Sequence, residues 1–326
     1  MAKLFPTTRK ELTHSAMQCF NDCRMKYHWR YECGLVPTEK IQALEFGSAF
    51  HKGLEFWFKY GIQDAAIGAA LGDAEERRLT VEDQIKLECM LTQYMETYDH
   101  ENFTVVEVEK PFRVELRNPK SGRRSQLFDH SGKIDGLVQD TNGNYLILEH
   151  KTTSDINDAY RKRILIDAQI CEYAIAIERM MGITIAGAIY DVAEKPRIKM
   201  KQGETDEEFE ARKAELLAKS KTGKTTAKKQ EPETAEDFKA RVMAALKPES
   251  FQRFTVLFGI EQKKEIMTEM WSISQDMKAP KMYKNTGICA KTGMECPYLD
   301  LCSAKGDLSM CEGKYESRKV NEELEV

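Results

Sequence analysis

Lys133-Ile134-Asp135-Gly136-Leu137-Val138-Gln139-Asp140-Thr141-Asn142-Gly143-Asn144-Tyr145-Leu146-Ile147-Leu148-Glu149-His150-Lys151-Thr152-Thr153 is the stretch on which the reading of this chain turns. KIDGLVQD (133–140) and NYLILEHKTT (144–153) are both strand-like, and the turn composition between them makes an antiparallel hairpin. Residues two apart on a strand share a face, so Glu149 and Lys151 project together. The apolar run before them implies a buried strand, where an acid and a lysine are costly without partners. The short turn brings Asp135 alongside as a second carboxylate. Two converging carboxylates make a hard-oxygen site suited to Mg²⁺ or Mn²⁺, to which the His150 carbonyl can add an oxygen. On spacing alone, a salt bridge at a strand end fits the same residues.

Outward from the hairpin, Ala16, Phe20, Cys23, Tyr27 and Tyr31 recur at helical spacing and predict a helix over 13–31. Further helices are predicted over 44–60, within 62–99, and over about 158–181 and 260–277. Strands are predicted at 103–116, 183–192 and 251–259. The expected core is α/β (α+β): a mixed sheet flanked by helices. The segment 195–247 interrupts it with a net charge of +4. It holds a near-repeat, in which Glu204 to Arg212 returns 29 residues later as Glu233 to Arg241. Each copy opens with a threonine followed three residues on by an acid, which suits a helix N-cap. Two short amphipathic helices are predicted, joined by a linker carrying Lys221, Lys224, Lys228 and Lys229. That linker reads either as a solvated hairpin or as a basic arm that touches a DNA backbone.

The chain has 326 residues, 41% hydrophobic and 31% charged, with a net charge of −4. It can bury a sizeable core, and nothing global advertises nucleic-acid binding, though a nuclease needs only a local basic groove. No apolar run approaches the roughly 20 residues of a membrane span, and no signal-type segment opens the chain, so a cytoplasmic protein is expected. In a reducing compartment, nine cysteines point to metal or cluster ligation rather than disulfides. Gly-Lys-Thr-Thr at 223–226 lacks the upstream glycine and strand of a phosphate loop, so no ATP-driven motor is expected.

Ile134-Asp135-Gly136 followed by Leu148-Glu149-His150-Lys151-Thr152-Thr153 resembles the signature of RecB-like exonucleases within the PD-(D/E)XK superfamily. Gly47-Ser48-Ala49-Phe50-His51 resembles the family's upstream helix, and the resemblance implies that His51 is a metal ligand. Gln169-Ile170-Cys171-Glu172-Tyr173 resembles its Gln-x-x-x-Tyr helix, which implies that Gln169 and Tyr173 face the DNA and the active site. Ser15 to Tyr31 resembles the family's opening helix. The motifs occur in family order over 13–193 and resume near 289. The resemblance implies a restriction-endonuclease-like fold: one nuclease domain from 1–194 and 248–326, with N-terminal helices at 13–99, a catalytic core at 103–193, and 195–247 as a helical insertion. His51, Asp135 and Glu149 would bind Mg²⁺ or Mn²⁺, and Lys151 would be the catalytic lysine. Glu107 and Glu109 precede the hairpin, and Glu109 is a further candidate ligand, since some relatives use an acid there.

Cys289, Cys296-Pro297-Tyr298 and Cys302 close the chain, with Cys311 beyond. This segment, 289–311, resembles the end of RecB-like nucleases that carry an iron–sulfur cluster, such as the CRISPR-associated and AddB-type members. The resemblance implies a [4Fe-4S] cluster on Cys23, Cys289, Cys296 and Cys302, with Cys19 an alternate for Cys23. The first gap here is six residues where the family's usual gap is two. A zinc site on Cys289, Cys296, Cys302 and Cys311 is the alternative. Cys33, Cys89 and Cys171 are expected to be buried small hydrophobes.

The expectation is a metal-dependent DNA exonuclease in recombination, repair or replication, similar to stand-alone phage members and then acting in the host cytoplasm. Homo-oligomers or recombination and replication proteins are its expected partners. A CRISPR spacer-acquisition nuclease of the same fold, and a cluster-bearing DNA-binding module with a vestigial site, are the competing readings.

Overall fold

The computed structural model describes residues 9–220, 222, 224–291, 294–321 and 324. In chain order the elements are β1 (Lys10–Leu12), α1 (His14–Asp22), α2 (Arg24–Tyr27), β2 (Leu35–Pro37), α3 (Gln42–Tyr60), α4 (Gln63–Glu76), α5 (Val81–Thr97), β3 (Phe103–Arg117), β4 (Arg124–Asp140), β5 (Tyr145–Thr153), α6 (Asp158–Ile164), α7 (Ala168–Met181), β6 (Ile185–Glu194), α8 (Asp206–Lys219), α9 (Ala235–Ala245), β7 (Phe251–Leu257), α10 (Ile260–Asp276), β8 (Ala290–Lys291), β9 (Met294–Glu295), α11 (Leu299–Ser303) and β10 (Tyr315–Ser317). A mixed sheet runs β1-β4-β5-β6-β7, with β3 on the other side of β4. β4–β5 and β6–β7 are antiparallel, and β5–β6 is parallel. This is the mixed α/β architecture expected of the hairpin and its flanking helices.

The hairpin turn is set by Asp140, whose carboxylate accepts from the backbone N–H groups of Asn142 (2.9 Å) and Asn144 (2.8 Å). Gly143 supplies the positive φ of 85° that such a turn requires. β4 is longer than the hairpin alone suggests. Its early part pairs with β1 at Phe128–His130, a strand too short for sequence patterning to reveal. Its later part pairs with β5 from Gly136 onward. Between them, residues 131–135 have β3 on one side and, among the described residues, no paired strand on the other. The sheet opens there, and Asp135 sits at the edge of the opening.

Two helices predicted as continuous are broken. Cys23 is extended (φ −158°, ψ 120°) and separates α1 from α2, after which the chain continues as one π-helical turn, His28–Glu32. Leu165 to Asp167 separate α6 from α7, and Asp167 caps the N-terminus of α7 by accepting from the Gln169 N–H at 3.0 Å. The near-repeat forms α8 and α9, capped by Thr205 and Thr234. α8 has no buried residue, whereas α9 packs Phe238 and Val242, both fully buried, into the large apolar cluster around α3, α4 and α5. The second half of the charged segment is therefore held by the core.

Candidate active site

α3 covers one face of β5 and α7 the other. On the α3 side, Gly47 sits so close to Thr152 that a Cβ there would lie 3.2 Å from its hydroxyl, which lets the helix approach the strand end. Asp135 accepts a 2.8 Å hydrogen bond from the backbone N–H of His150, taking the place of a ladder acceptor where β4 and β5 part. His51 reaches from α3 to place Nδ1 3.4 Å from Asp135 Oδ2. Glu109, on β3, joins them: one ligand atom each from His51, Glu109 and Asp135 lies within 4.8 Å of the others. This nitrogen-plus-carboxylates set fits a hard or borderline divalent ion.

Glu149 is 3% exposed, with its carboxylate 2.5 Å from the Lys151 ammonium. It is thus turned toward Lys151 and is not among the three converging atoms. The Lys151 ammonium also donates to Gln169 at 3.0 Å, and the Gln169 side-chain amide donates to the Tyr173 hydroxyl at 3.3 Å. The Gln–Tyr helix therefore positions the lysine from behind. His51, Glu109, Asp135, Lys133, His150 and Lys151 line one open cavity of about 730 Å³, within the range of ligand sites.

The electrostatics follow from burial and pairing. Burial works against a charge on His51, but the neighbouring Asp135, with Glu149 in support, outweighs it and raises the pKa to about 9. Burial also works against the Asp135 carboxylate, yet His51 and the groups of His150 hold it well below the usual range. Burial pushes Glu149 up to about 7 against the pull of Lys151, with Asp135 adding to the rise. Burial disfavours the Lys151 ammonium, but Glu149 and then Asp135 outweigh it and keep the lysine charged.

Behind the site lies a network that no local pattern announces. The His150 ring, 3% exposed, places Nδ1 3.3 Å from Asp191 on β6. Asp191 also accepts from the Tyr94 hydroxyl and, at 3.3 Å, from Arg253. Arg253 in turn pairs with Glu101. These residues come from four separate parts of the chain. Lys133 was missed in the sequence as well, although it lies two residues before Asp135 on one strand and the shared face was a signal that could have found it.

The cysteines divide. Cys19 is buried among Phe20, Leu116 and Met270, and burial pushes its thiol up to about 11, so its setting opposes a thiolate. The break at Cys23 takes that thiol out of the shared helical face, and its sulfur accepts from the Asn285 N–H at 3.4 Å. Cys302 Sγ accepts from the Trp29 indole at 3.4 Å, and the Cys296 N–H donates to the Cys289 carbonyl at 2.8 Å. The Cys296 thiol is raised by burial, opposed by the Tyr298 N–H and Lys26 and reinforced by Cys289 and Cys302, which places these three thiols in one neighbourhood. N–H donors on sulfur are suited to thiolate ligands. Cys311 packs with Tyr298 and Leu301 in a small apolar cluster. Cys89 and Cys171 are buried as expected, but Cys33 is exposed, because it ends the π-helical turn and faces His28.

Of the linker lysines, Lys229 pairs with Asp206 at 2.6 Å, Lys224 and Lys228 lie on the linker away from the cavity lining, and Lys221 lies outside the described residues.

The family model described as the PD-(D/E)XK nuclease superfamily matches residues 11–303, and the chain belongs to that superfamily. Its members are nucleases that use divalent metals, and the site built here on β4, β5, α3 and α7 spans the matched region. A solved structure titled "Crystal structure of SSO0001" is similar over 75% of this chain and 80% of its own, at 10% identity and a TM-score of 0.30. No curated protein matches the chain. Among the described residues, no helix is long and apolar enough to cross a membrane.

Proposed function

We propose that this chain is a Mg²⁺- or Mn²⁺-dependent deoxyribonuclease of the RecB-like branch, acting as an exonuclease on linear DNA. The observation that carries the reading is the convergence of His51, Glu109 and Asp135 within 4.8 Å beside a half-buried, charged Lys151. His51, Asp135 and Glu149 are the proposed ligands, with Glu109 joining them. A bound divalent ion would polarise the scissile phosphate and lower the pKa of a coordinated water. Asp135, anchored by the His150 N–H, keeps its carboxylate ionised and fixed in the opening of the sheet. Lys151 stays protonated and offsets charge that develops on the phosphate, so it acts as a cation and not as a base. Gln169 and Tyr173 hold it in place.

The exonuclease mode, and a setting in DNA recombination, repair or replication as in stand-alone phage members, rest on the order of the RecB-like motifs. A [4Fe-4S] cluster on Cys23, Cys289, Cys296 and Cys302 goes with the same reading. Among the described residues no three thiols lie within 4.8 Å of one another.

Purified protein incubated with linear and circular DNA and either metal tests the activity. Linear DNA should disappear while covalently closed circles survive. Equal cutting of circles removes the exonuclease assignment, and unimpaired digestion by Lys151→Ala removes the site. Anaerobically purified protein should be brown, with a band at about 400 nm; a colourless, zinc-loaded protein would replace the cluster.

A further inference from the structure

Lys133 lines the same cavity as the candidate ligands, and the mechanism above gives it no task. Lys133 and Asp135 lie two apart on β4 and share a face. Across from them, Val108 pairs with Gly136 and Lys110 with Ile134, which leaves Glu109 opposite Asp135. Glu109 has φ of +52°, a left-handed conformation that is strained for a non-glycine residue and is held only where the surroundings impose it. A register shift between Val105 and Glu107 adds to the local irregularity of β3.

The consequence is a carboxylate with two partners on one side of the sheet. Glu109 forms an ion pair with Lys133, and it also supplies an atom to the group formed with His51 and Asp135. The Lys133 side chain is 38% exposed against 13% for Glu109, so the ammonium faces the cavity while the acid lies beneath it. A carboxylate that shares its charge with a divalent cation has little left for an ammonium group. Without Glu109, Lys133 is a cation at the cavity wall near two carboxylates, and a phosphodiester is the anion this cavity is shaped to meet.

Resting on the metal-site reading above, we infer that Lys133 is a DNA-phosphate contact masked by Glu109 and released when Glu109 turns to the metal position. Metal loading and DNA binding are then coupled through one residue pair. The coupling is reciprocal: DNA tightens metal binding by the factor by which metal tightens DNA binding.

The test measures DNA binding, with cleavage blocked in a Lys151→Ala background. Fluorescence anisotropy with a labelled duplex oligonucleotide, in EDTA and in Mn²⁺, is paired with Mn²⁺ binding followed by electron paramagnetic resonance. Mn²⁺ should tighten DNA binding about tenfold. Lys133→Met should remove most of that gain and about one unit of the salt-dependence slope, while Lys133→Arg retains both. Lys133→Met should bind Mn²⁺ alone at least as well as its parent, because a competing cation is gone. Glu109→Gln should tighten DNA binding in EDTA about fivefold, and Glu109→Gln/Lys133→Met should lose that gain. Persistence of the gain in the double variant would assign it to removal of a negative charge and overturn the inference. An unchanged Mn²⁺ increment and salt slope in Lys133→Met would overturn it as well. Failure of the parent to bind Mn²⁺ at all would instead defeat the metal-site reading, and the masking role with it.

Discussion

The two ends of this nuclease are built on different physical terms. The catalytic end is rooted in two extensive apolar clusters, one around α3–α5 and one around α7, β5 and β6. Its charged groups stand on strands and helices that this packing already fixes. The cysteine end has a small cluster of Tyr298, Leu301 and Cys311. It is tied to the N-terminal region by the three-residue pairing of β2 with β10 and by single contacts, such as the Tyr298 hydroxyl donating to the Leu35 carbonyl at 2.8 Å. A segment that buries so little apolar surface gains most from a cross-link. The same residue type follows the same division. Cys89 and Cys171 are fully buried in core clusters, whereas Cys289, Cys296 and Cys302 are part-exposed beside one another. One end uses a core to hold charge in place, and the other, on the proposed reading, uses ligation in place of a core.

The largest effect that tests this contrast is at the catalytic end. Asp135→Asn should lower the cleavage rate by at least about 10²–10³-fold. It should still fold, because an asparagine oxygen can accept from the His150 N–H, and its thermal midpoint should fall only by the loss of the His51 ion pair. A variant that loses activity by unfolding would show the site is not independently framed by the core.

Next comes pH. The His51 proton, with a pKa of about 9, and the Glu149 proton, at about 7, both have to leave before these groups can ligate an ion. Mn²⁺ affinity should therefore rise by about tenfold per unit between pH 7 and 9, with proton uptake by buffer detected calorimetrically. The metal-free protein has the opposite sign. A raised His51 stabilises the fold below its unfolded pKa and loses that contribution as pH rises through about 9, and ionising the raised Glu149 costs stability between its unfolded value and about 7. Thermal melts in EDTA should fall from pH 5 to 9, while melts with saturating Mn²⁺ should not.

At the other end, Cys296→Ser should abolish the visible absorbance and cost about 2–4 kcal/mol, as loss of a link closing a long loop does. Cys23→Ala should behave alike. Cys19→Ala should keep the iron and cost about 1 kcal/mol, a small packing loss. Iron lost with Cys19 and retained without Cys23 would reverse the ligand assignment. The smallest effect is expected in the linker. Replacing Lys224, Lys228 and Lys229 together by alanine should weaken DNA binding about threefold at low salt, and no change at all would return the linker to a solvated hairpin.

Much of this was legible locally. The hairpin, the face shared by Glu149 and Lys151, the threonine caps of the near-repeat and the Gln169–Tyr173 turn all follow from periodicity and turn chemistry over a few residues. The break at Cys23 was not, because helical spacing continues across it and only the docking of Asn285 and the following segment gives the extended conformation a purpose. Glu109 was a weak candidate in sequence, since alternation along β3 places it like any other acid. Its positive φ, which aims it into the site, is a property of its pairing with β4.

The sequence by itself determined the chemistry available: which carboxylates, histidine, lysine and cysteines lie on which strands, helices and loops. Tertiary structure alone decided which of them meet. The gap beside residues 131–135, left between β1 and β5, opens the sheet at Asp135, and α3 crossing at Gly47 delivers His51 to it. Glu149 is turned to Lys151 while Glu109 is turned to Asp135 and Lys133. Local sequence sets which way a strand's side chains alternate, but only strand register and helix crossing set the distances between residues far apart in the chain, and metal chemistry depends on those distances.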